Sequence, residues 1–309
     1  MEIPSVAVCL FAACGGVLMP LKDKLDSREF AILAEMEPPK GVDVSMMVSH
    51  ATRVRTNVDA FVVPDMNDAV MRMSALGGAV ILQGKGMETV VQVACRDRNR
   101  LALQADLLAT SACGINNIMV VSGEDLSLGD HHEAKPVYDL QVLDLLAAIR
   151  QLERGQDMAG TDLSGSPTFL LGSTINAGAK GKALDLELKE MTRQIETGVE
   201  FFVTPPLFDL ASIDPFLKEV DHRKTKIIPT VLLLKSVGMA RYIDRHYEQV
   251  QMPQGLIDRI QKASDKAREC TSIAVEVVTT LKEEGFSGAL LSTLGWEHKL
   301  PEILEGIAA

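Results

Sequence analysis

Short β-branched or apolar runs alternate with longer segments of helical period along almost the whole chain, and no other feature restricts the fold as tightly. Runs at residues 30–34, 60–63, 89–93, 117–121, 168–171, 201–204, 227–233 and 288–291 have the length and residue types of buried strands. Between them, segments at 45–57, 99–113, 138–153, 182–197, 211–220 and 263–284 carry their apolar residues on one helical face. Alternation of this kind means parallel strands joined by crossover helices. Eight such units predict a single-domain α/β fold, a (βα)8 TIM barrel, rather than an open doubly wound sheet. The 309 residues suit one such barrel. No internal repeat interrupts the pattern, and the Gly/Ser-rich stretch 155–167 reads as a loop into the fifth strand.

Residues 24–309 are read as the barrel and residues 1–23 as an N-terminal extension or arm. The apolar run in that arm ends in Phe11-Ala12-Ala13-Cys14 but lacks the basic region a signal peptide needs. It is also too short to span a bilayer. With 31 basic against 42 acidic side chains and a formal charge of −11, the chain lacks the basic surface that a nucleic acid or an anionic membrane requires. A small-molecule partner is expected. Cys9, Cys14, Cys95, Cys113 and Cys270 are odd in number and scattered, so they read as reduced thiols of a cytoplasmic protein.

In a barrel, chemistry sits where strands end. The first strand ends in Ala34-Glu35-Met36-Glu37-Pro38-Pro39-Lys40, with two carboxylates at alternate positions on one side and prolines that stop the strand. Such a carboxyl is either an inward general acid with a raised pKa or a solvated strand end. The third strand ends in Gln92-Val93-Ala94-Cys95-Arg96-Asp97-Arg98-Asn99, where the arginines either grip an anion or flank a helix start capped by Asp97 or Asn99. The fourth leads into Ser122-Gly123-Glu124, where glycine lets a ligand approach the backbone. The fifth ends in Gly172-Ser173-Thr174-Ile175-Asn176, small enough to leave room for a planar ligand. No metal is expected, because His131, His132 and Glu133 are contiguous and their side chains diverge. A Gly-x-Ser-x-Gly elbow, a Walker loop and a dinucleotide glycine fingerprint are all missing.

Taken in order, Glu35-Met36-Glu37-Pro38-Pro39-Lys40, the block from Gln92 to Leu108, and Ser122-Gly123-Glu124 with Gly129-Asp130-His131 resemble the flavin-dependent methylenetetrahydrofolate reductases. Weaker matches at 172–176, 204–209 and 293–299 extend the resemblance from about residue 24 to the C-terminus. It implies a cytoplasmic oxidoreductase of one-carbon metabolism, serving methionine biosynthesis, with FAD in the barrel mouth. Hydride would pass from reduced FAD to 5,10-methylenetetrahydrofolate, giving 5-methyltetrahydrofolate. By position in the motif, Glu35 is the acid that protonates the departing N10, and Glu124 takes the place of an aspartate near the flavin and the pterin. Gln92, which stands where a histidine is common, Ser122, Gly123, Tyr138, Asn176 and Arg193 are the implied flavin contacts. Thr204 joins Glu35 and Glu124 at the substrate.

The chain departs from the family where the electron donor would bind. Thr204-Pro205-Pro206 stands where many members have Thr-Gln, and proline supplies neither a side-chain amide nor a backbone N–H. Electrons are therefore expected from NADH or from a redox partner protein. The arginine some members place after the last strand for the folate glutamate tail is also missing, leaving Arg96, Arg98 or Lys235 to compensate. The apolar arm and the lone Trp296 suit an oligomer interface, in a homo-oligomer or a larger complex, or else core packing. Two other readings stay open: a flavin-free folate- or pterin-binding barrel such as a methyltransferase, and a non-catalytic subunit of a redox complex.

Overall fold

A computed structural model describes residues 19–247 and 249–308, so the apolar run within the N-terminal extension lies outside the described residues. Eight parallel strands close into a barrel in sequence order. They are β1 (Ala31–Glu35), β2 (Ala60–Val63), β3 (Thr89–Ala94), β4 (Asn117–Val121), β5 (Leu170–Thr174), β6 (Phe201–Pro206), β7 (Lys226–Leu232) and β8 (Gly288–Ser292). The helices are α1 (Leu21–Asp26), α2 (Ser45–Val54), α3 (Ala75–Gln83), α4 (Arg100–Ala112), α5 (Val142–Glu153), α6 (Lys182–Thr197), α7 (Asp214–Glu219), α8 (Val237–His246), α9 (Gln254–Lys262), α10 (Lys266–Glu283) and α11 (Leu300–Ala308). The barrel fold expected from the alternation is the one observed.

Two apolar layers hold it. Inside the barrel, Leu33, Val62, Val90, Met119, Phe201, Ile228 and Leu290 pack together, and Leu21 and Leu25 of α1 plug the end at which the strands begin. The boundary expected between residues 23 and 24 thus falls within a helix that belongs to the barrel. The outer layer joins the strands to the surrounding helices.

Most strand bounds differ from expectation by a residue or two, but β5 runs three residues further than the predicted 168–171. The apolar run stops at Leu171 because Gly is depleted in strands, and the small-residue end 172–174 continues the strand. Here Gly172 is obligatory, since a Cβ would lie 2.1 Å from the Phe201 ring that fills the interior. Ser173 is satisfied by donating to the Val120 carbonyl at 3.1 Å. The helix expected from residue 138 starts only at Val142, because Tyr138 has φ of 42° and lies outside helical space. The 211–220 segment divides into a 3₁₀ turn and α7, which restarts with Pro215 in its first turn. α3 escaped the periodicity because its sequence, ALGGAVILQ, is apolar on every side.

Phe201 is the largest interior ring facing a glycine, so Phe201→Ala leaves a void that Gly172 has no side chain to fill. The expected loss is about 3–5 kcal/mol in urea unfolding at equilibrium. A loss under about 1 kcal/mol would show that the interior collapses around the gap.

Candidate active site

The C-terminal ends of the strands open into a cleft of about 630 Å³. Glu35 of β1 stands at its floor beside Ser292 of β8, whose Oγ donates to Glu35 Oε1 at 2.9 Å. Protein packed around this carboxyl strips it of water and pushes its pKa up to about 7. The Ser292 hydrogen bond opposes that shift, while the negative charges of Glu37, Asp68 and Glu297 reinforce it. Glu37 is paired with the Arg72 guanidinium at 2.8 Å, and its own carboxyl is raised chiefly by burial.

Gln92 and Asn176 reach the cleft in a similar way. Gln92 Oε1 accepts the Asp65 N–H at 3.0 Å, and Asn176 Oδ1 accepts the Gly178 N–H at 3.1 Å. With each oxygen held by backbone, both NH2 groups are left to donate to a ligand. Glu124 lines the same cleft from the loop after β4, its carboxyl raised mainly by desolvation against the pull of Arg96. Thr204 lines the opposite side, its hydroxyl donating to the Pro205 carbonyl at 2.8 Å. Pro205 and Pro206 line the cleft as well, at an irregularity in the β6–β7 register.

Gly123 has φ of 93°, and a Cβ there would come within 2.8 Å of Arg96 Cβ. Arg96 is the reason. Its side chain is 1% exposed, it pairs with Asp97 at 2.8 Å, and it donates to the carbonyls of Glu124 at 2.9 Å and Met66 at 3.4 Å. Arg98 is likewise committed, to the buried Asp65 and to Asp106. Arg96 therefore braces the loops after β2 and β4 and Arg98 ties the loop after β2 to α4, and neither gripping an external anion nor solvation describes them. Lys235 Nζ donates to the Leu294 carbonyl and lies 5.4 Å from the Trp296 ring centroid.

A match to the family described as methylenetetrahydrofolate reductase covers residues 20–308. The chain belongs to the methylenetetrahydrofolate reductase family. Membership makes it a folate-related oxidoreductase. Among solved structures it resembles the EDTA monooxygenase EmoA from Chelativorans sp. BNC1, at 9% identity and a TM-score of 0.52, over 90% of this chain and 93% of that one. It also resembles 2,3-dimethylmalate lyase, a PEP mutase/isocitrate lyase superfamily member, at 9% identity and a TM-score of 0.50, over 92% and 82% of the two chains. Likeness at that level shows the barrel alone.

Of the residues carried over from the reductase family, Glu35, Gln92, Glu124, Asn176 and Thr204 meet in one cleft. Gly123 lies beneath it, with the Tyr138 hydroxyl 3.4 Å from its carbonyl. Ser122 is exposed in the same loop. Arg193 does not join them. It is exposed, faces Glu190 at 3.8 Å, and lies eleven residues into α6, about 16 Å along the axis from the end nearest the cleft. The sequence reading missed Ser292, Asp68, Glu187, Tyr242 and Tyr247. Ser292 was within reach, being the residue just past the eighth run. Glu187 and the tyrosines sit on helices or beyond them, where inspection of strand ends does not look.

The cleft fits the ring system of a flavin, with two amide donors in its lining, the Gly123 backbone beneath it and carboxylates at Glu35, Asp68, Glu124 and Glu187. It contains no lysine or arginine among the described residues, so the diphosphate of FAD would lie beyond it. Lys180 and Lys182 stand exposed at the start of α6 on that side.

Infrared titration of the Glu35 carboxyl, assigned by its loss in Glu35→Gln, should give a midpoint near 7. Ser292→Ala should move the midpoint upward and Glu37→Gln downward. A wild-type midpoint in the ordinary range of about 4–5 would contradict the desolvation described above.

Proposed function

We propose that the chain reduces 5,10-methylenetetrahydrofolate to 5-methyltetrahydrofolate with a reduced flavin, FAD, as hydride donor. The observation that carries this reading is an acid near neutrality, Glu35, inside a cleft whose other charged lining residues, Asp68, Glu124 and Glu187, are carboxylates too.

The substrate's five-membered ring must open before its one-carbon unit can accept hydride. Glu35, protonated at and below about pH 7, donates its proton to N10 as the bond from N10 to the methylene carbon breaks. The positive charge then resides on the N5 iminium. The surrounding carboxylates, with no fixed cation among the described lining residues, stabilise that charge as it develops. A bound reduced flavin supplies the hydride that ends on the methylene carbon. Glu35 is left as a carboxylate, accepts the Ser292 hydroxyl bond, and regains its proton from water. Gln92 and Asn176 donate to ring acceptors, and Glu124 disfavours negative charge on the flavin, making it a readier donor.

The electron source is proposed to be a redox partner protein of the cytoplasm rather than NADH, since Pro205 and Pro206 offer no amide where the family's glutamine would stand. Rapid reduction of the bound flavin by NADH in the isolated chain would overturn that part. The absence of a cation among the described lining residues favours one second reading, a folate-binding barrel that works without flavin.

The test is anaerobic mixing of the reduced protein with 5,10-methylenetetrahydrofolate. Reoxidation of bound flavin with formation of 5-methyltetrahydrofolate is the expected result, and Glu35→Gln should slow it by about 10²- to 10⁴-fold. A protein that neither carries nor takes up flavin would shift the account to the second reading.

A further inference from the structure

Six helices close with one backbone pattern, and one of the six does so without glycine. After α3, α4, α5, α6 and α10 the chain turns through Gly86, Gly114, Gly155, Gly198 and Gly285, each with positive φ, and two N–H groups fold back on carbonyls of the last turn. α1 ends in the same way. The Arg28 N–H donates to the Leu25 carbonyl at 3.4 Å and the Glu29 N–H to the Lys24 carbonyl at 3.1 Å. Arg28 takes the glycine's place with φ of 61°, where a side chain crowds its own backbone. A strained arginine where glycine serves five times elsewhere points to a use for its guanidinium.

The surroundings of Arg28 supply that use. Arg28, Arg223, Lys224 and Lys226 line a pocket of about 200 Å³ at the end where the strands begin, with Asp26 as the carboxylate among the described lining residues. Four cations against one anion stand out in a chain of formal charge −11. The basic loop is held in place. His222 stacks on Phe286 at 4.4 Å and donates from Nε2 to the Glu284 carbonyl at 3.0 Å. Arg223 lies across Gly285, its Nε 3.5 Å from where a Cβ would stand. Lys226 is paired with Asp26 and Lys224 with Asp221, which leaves Arg28 and Arg223 as the two cations of the pocket without an ion pair or side-chain hydrogen bond among the described residues.

We propose that this pocket binds a phosphate group, held by the guanidiniums of Arg28 and Arg223, at the end of the barrel away from the active site. A guanidinium meets two phosphate oxygens with parallel hydrogen bonds, whereas an ammonium group adds charge without fixing geometry. Lys224 and Lys226 serve in the second way. A phosphate held there joins the end of α1, which plugs the interior, to the starts of β7 and β8. Binding is therefore read in thermal stability as well as in heat. The inference is independent of the reaction proposed above.

The test is calorimetric and thermal titration of the full chain with inorganic phosphate at constant ionic strength, chloride making up the difference. Saturable binding and a rising Tm are expected with phosphate and not with chloride. Arg28→Gly separates strain from recognition: it should leave the ligand-free Tm at or above the wild-type value while weakening phosphate by about tenfold or more. Arg223→Gln should weaken it similarly. Adenosine 5′-monophosphate set against adenosine distinguishes the sources of the group. Equal affinity for the nucleotide and inorganic phosphate marks a site for the free ion, and tighter nucleotide binding with adenosine silent marks a phosphate carried on a larger molecule. No saturable binding of either phosphate, or wild-type affinity in the Arg28→Gly/Arg223→Gln double variant, would overturn the proposal.

Discussion

The pairing of β1 with β8 is the contact on which the site depends. Ala31 to Ala34 run in register with Gly288 to Leu291, and the next residues along are Glu35 and Ser292. Residues 257 positions apart thus become hydrogen-bonded neighbours only when the barrel closes. Closure also surrounds the Glu35 carboxyl with protein, and that loss of water is what makes a glutamate a proton donor at neutral pH. An open sheet of the same strands would leave Glu35 on an edge with an ordinary pKa. Stability and acid chemistry therefore share one origin, and the interior packing around Phe201 and the α1 plug serves both.

The loops at the mouth are tied together by charge rather than by apolar packing. Asp130, in the loop after β4, accepts from Lys40 after β1, from the Met71 N–H after β2 at 3.1 Å, and from His131 at 2.8 Å. These contacts hold its carboxyl well below the usual range. Arg96 and the Asp65–Arg98 pair do the same deeper down. Arginines that resemble an anion grip in the sequence are spent on holding Glu124 and Gly123 in place, and the cleft itself is left acidic. That acidity suits a cationic iminium better than a dinucleotide phosphate.

The fold was legible because the strands and most of the helices between them announce themselves locally through a change of period. The site was legible where its residues lie in the C-terminal part of a strand or within three residues of its end, as Glu35, Gln92, Thr204 and Glu124 do. Reading failed where tertiary contact overrides local preference. Gly172 to Thr174 extend β5 because Phe201 needs the space, and α3 shows no stripe because it is apolar all round. Arg193 matched by position but faces away, since nothing in a helical period says how far along the helix the cleft extends. Tyr242 and Tyr247 carry no signal in the sequence beyond being tyrosines; only α8 and the turn after it, which packs on Gly178 of the β5 loop, bring them to the mouth.

The central claim is that a neutral Glu35 delivers the proton that opens the substrate ring. It is tested most directly by the pH dependence of single-turnover hydride transfer from the reduced protein to 5,10-methylenetetrahydrofolate. The expected rate is flat at acid pH and falls about tenfold per unit above a midpoint near 7, with that midpoint lost in Glu35→Gln. A rate that rises through pH 7, or a wild-type profile that Glu35→Gln leaves intact, would contradict it.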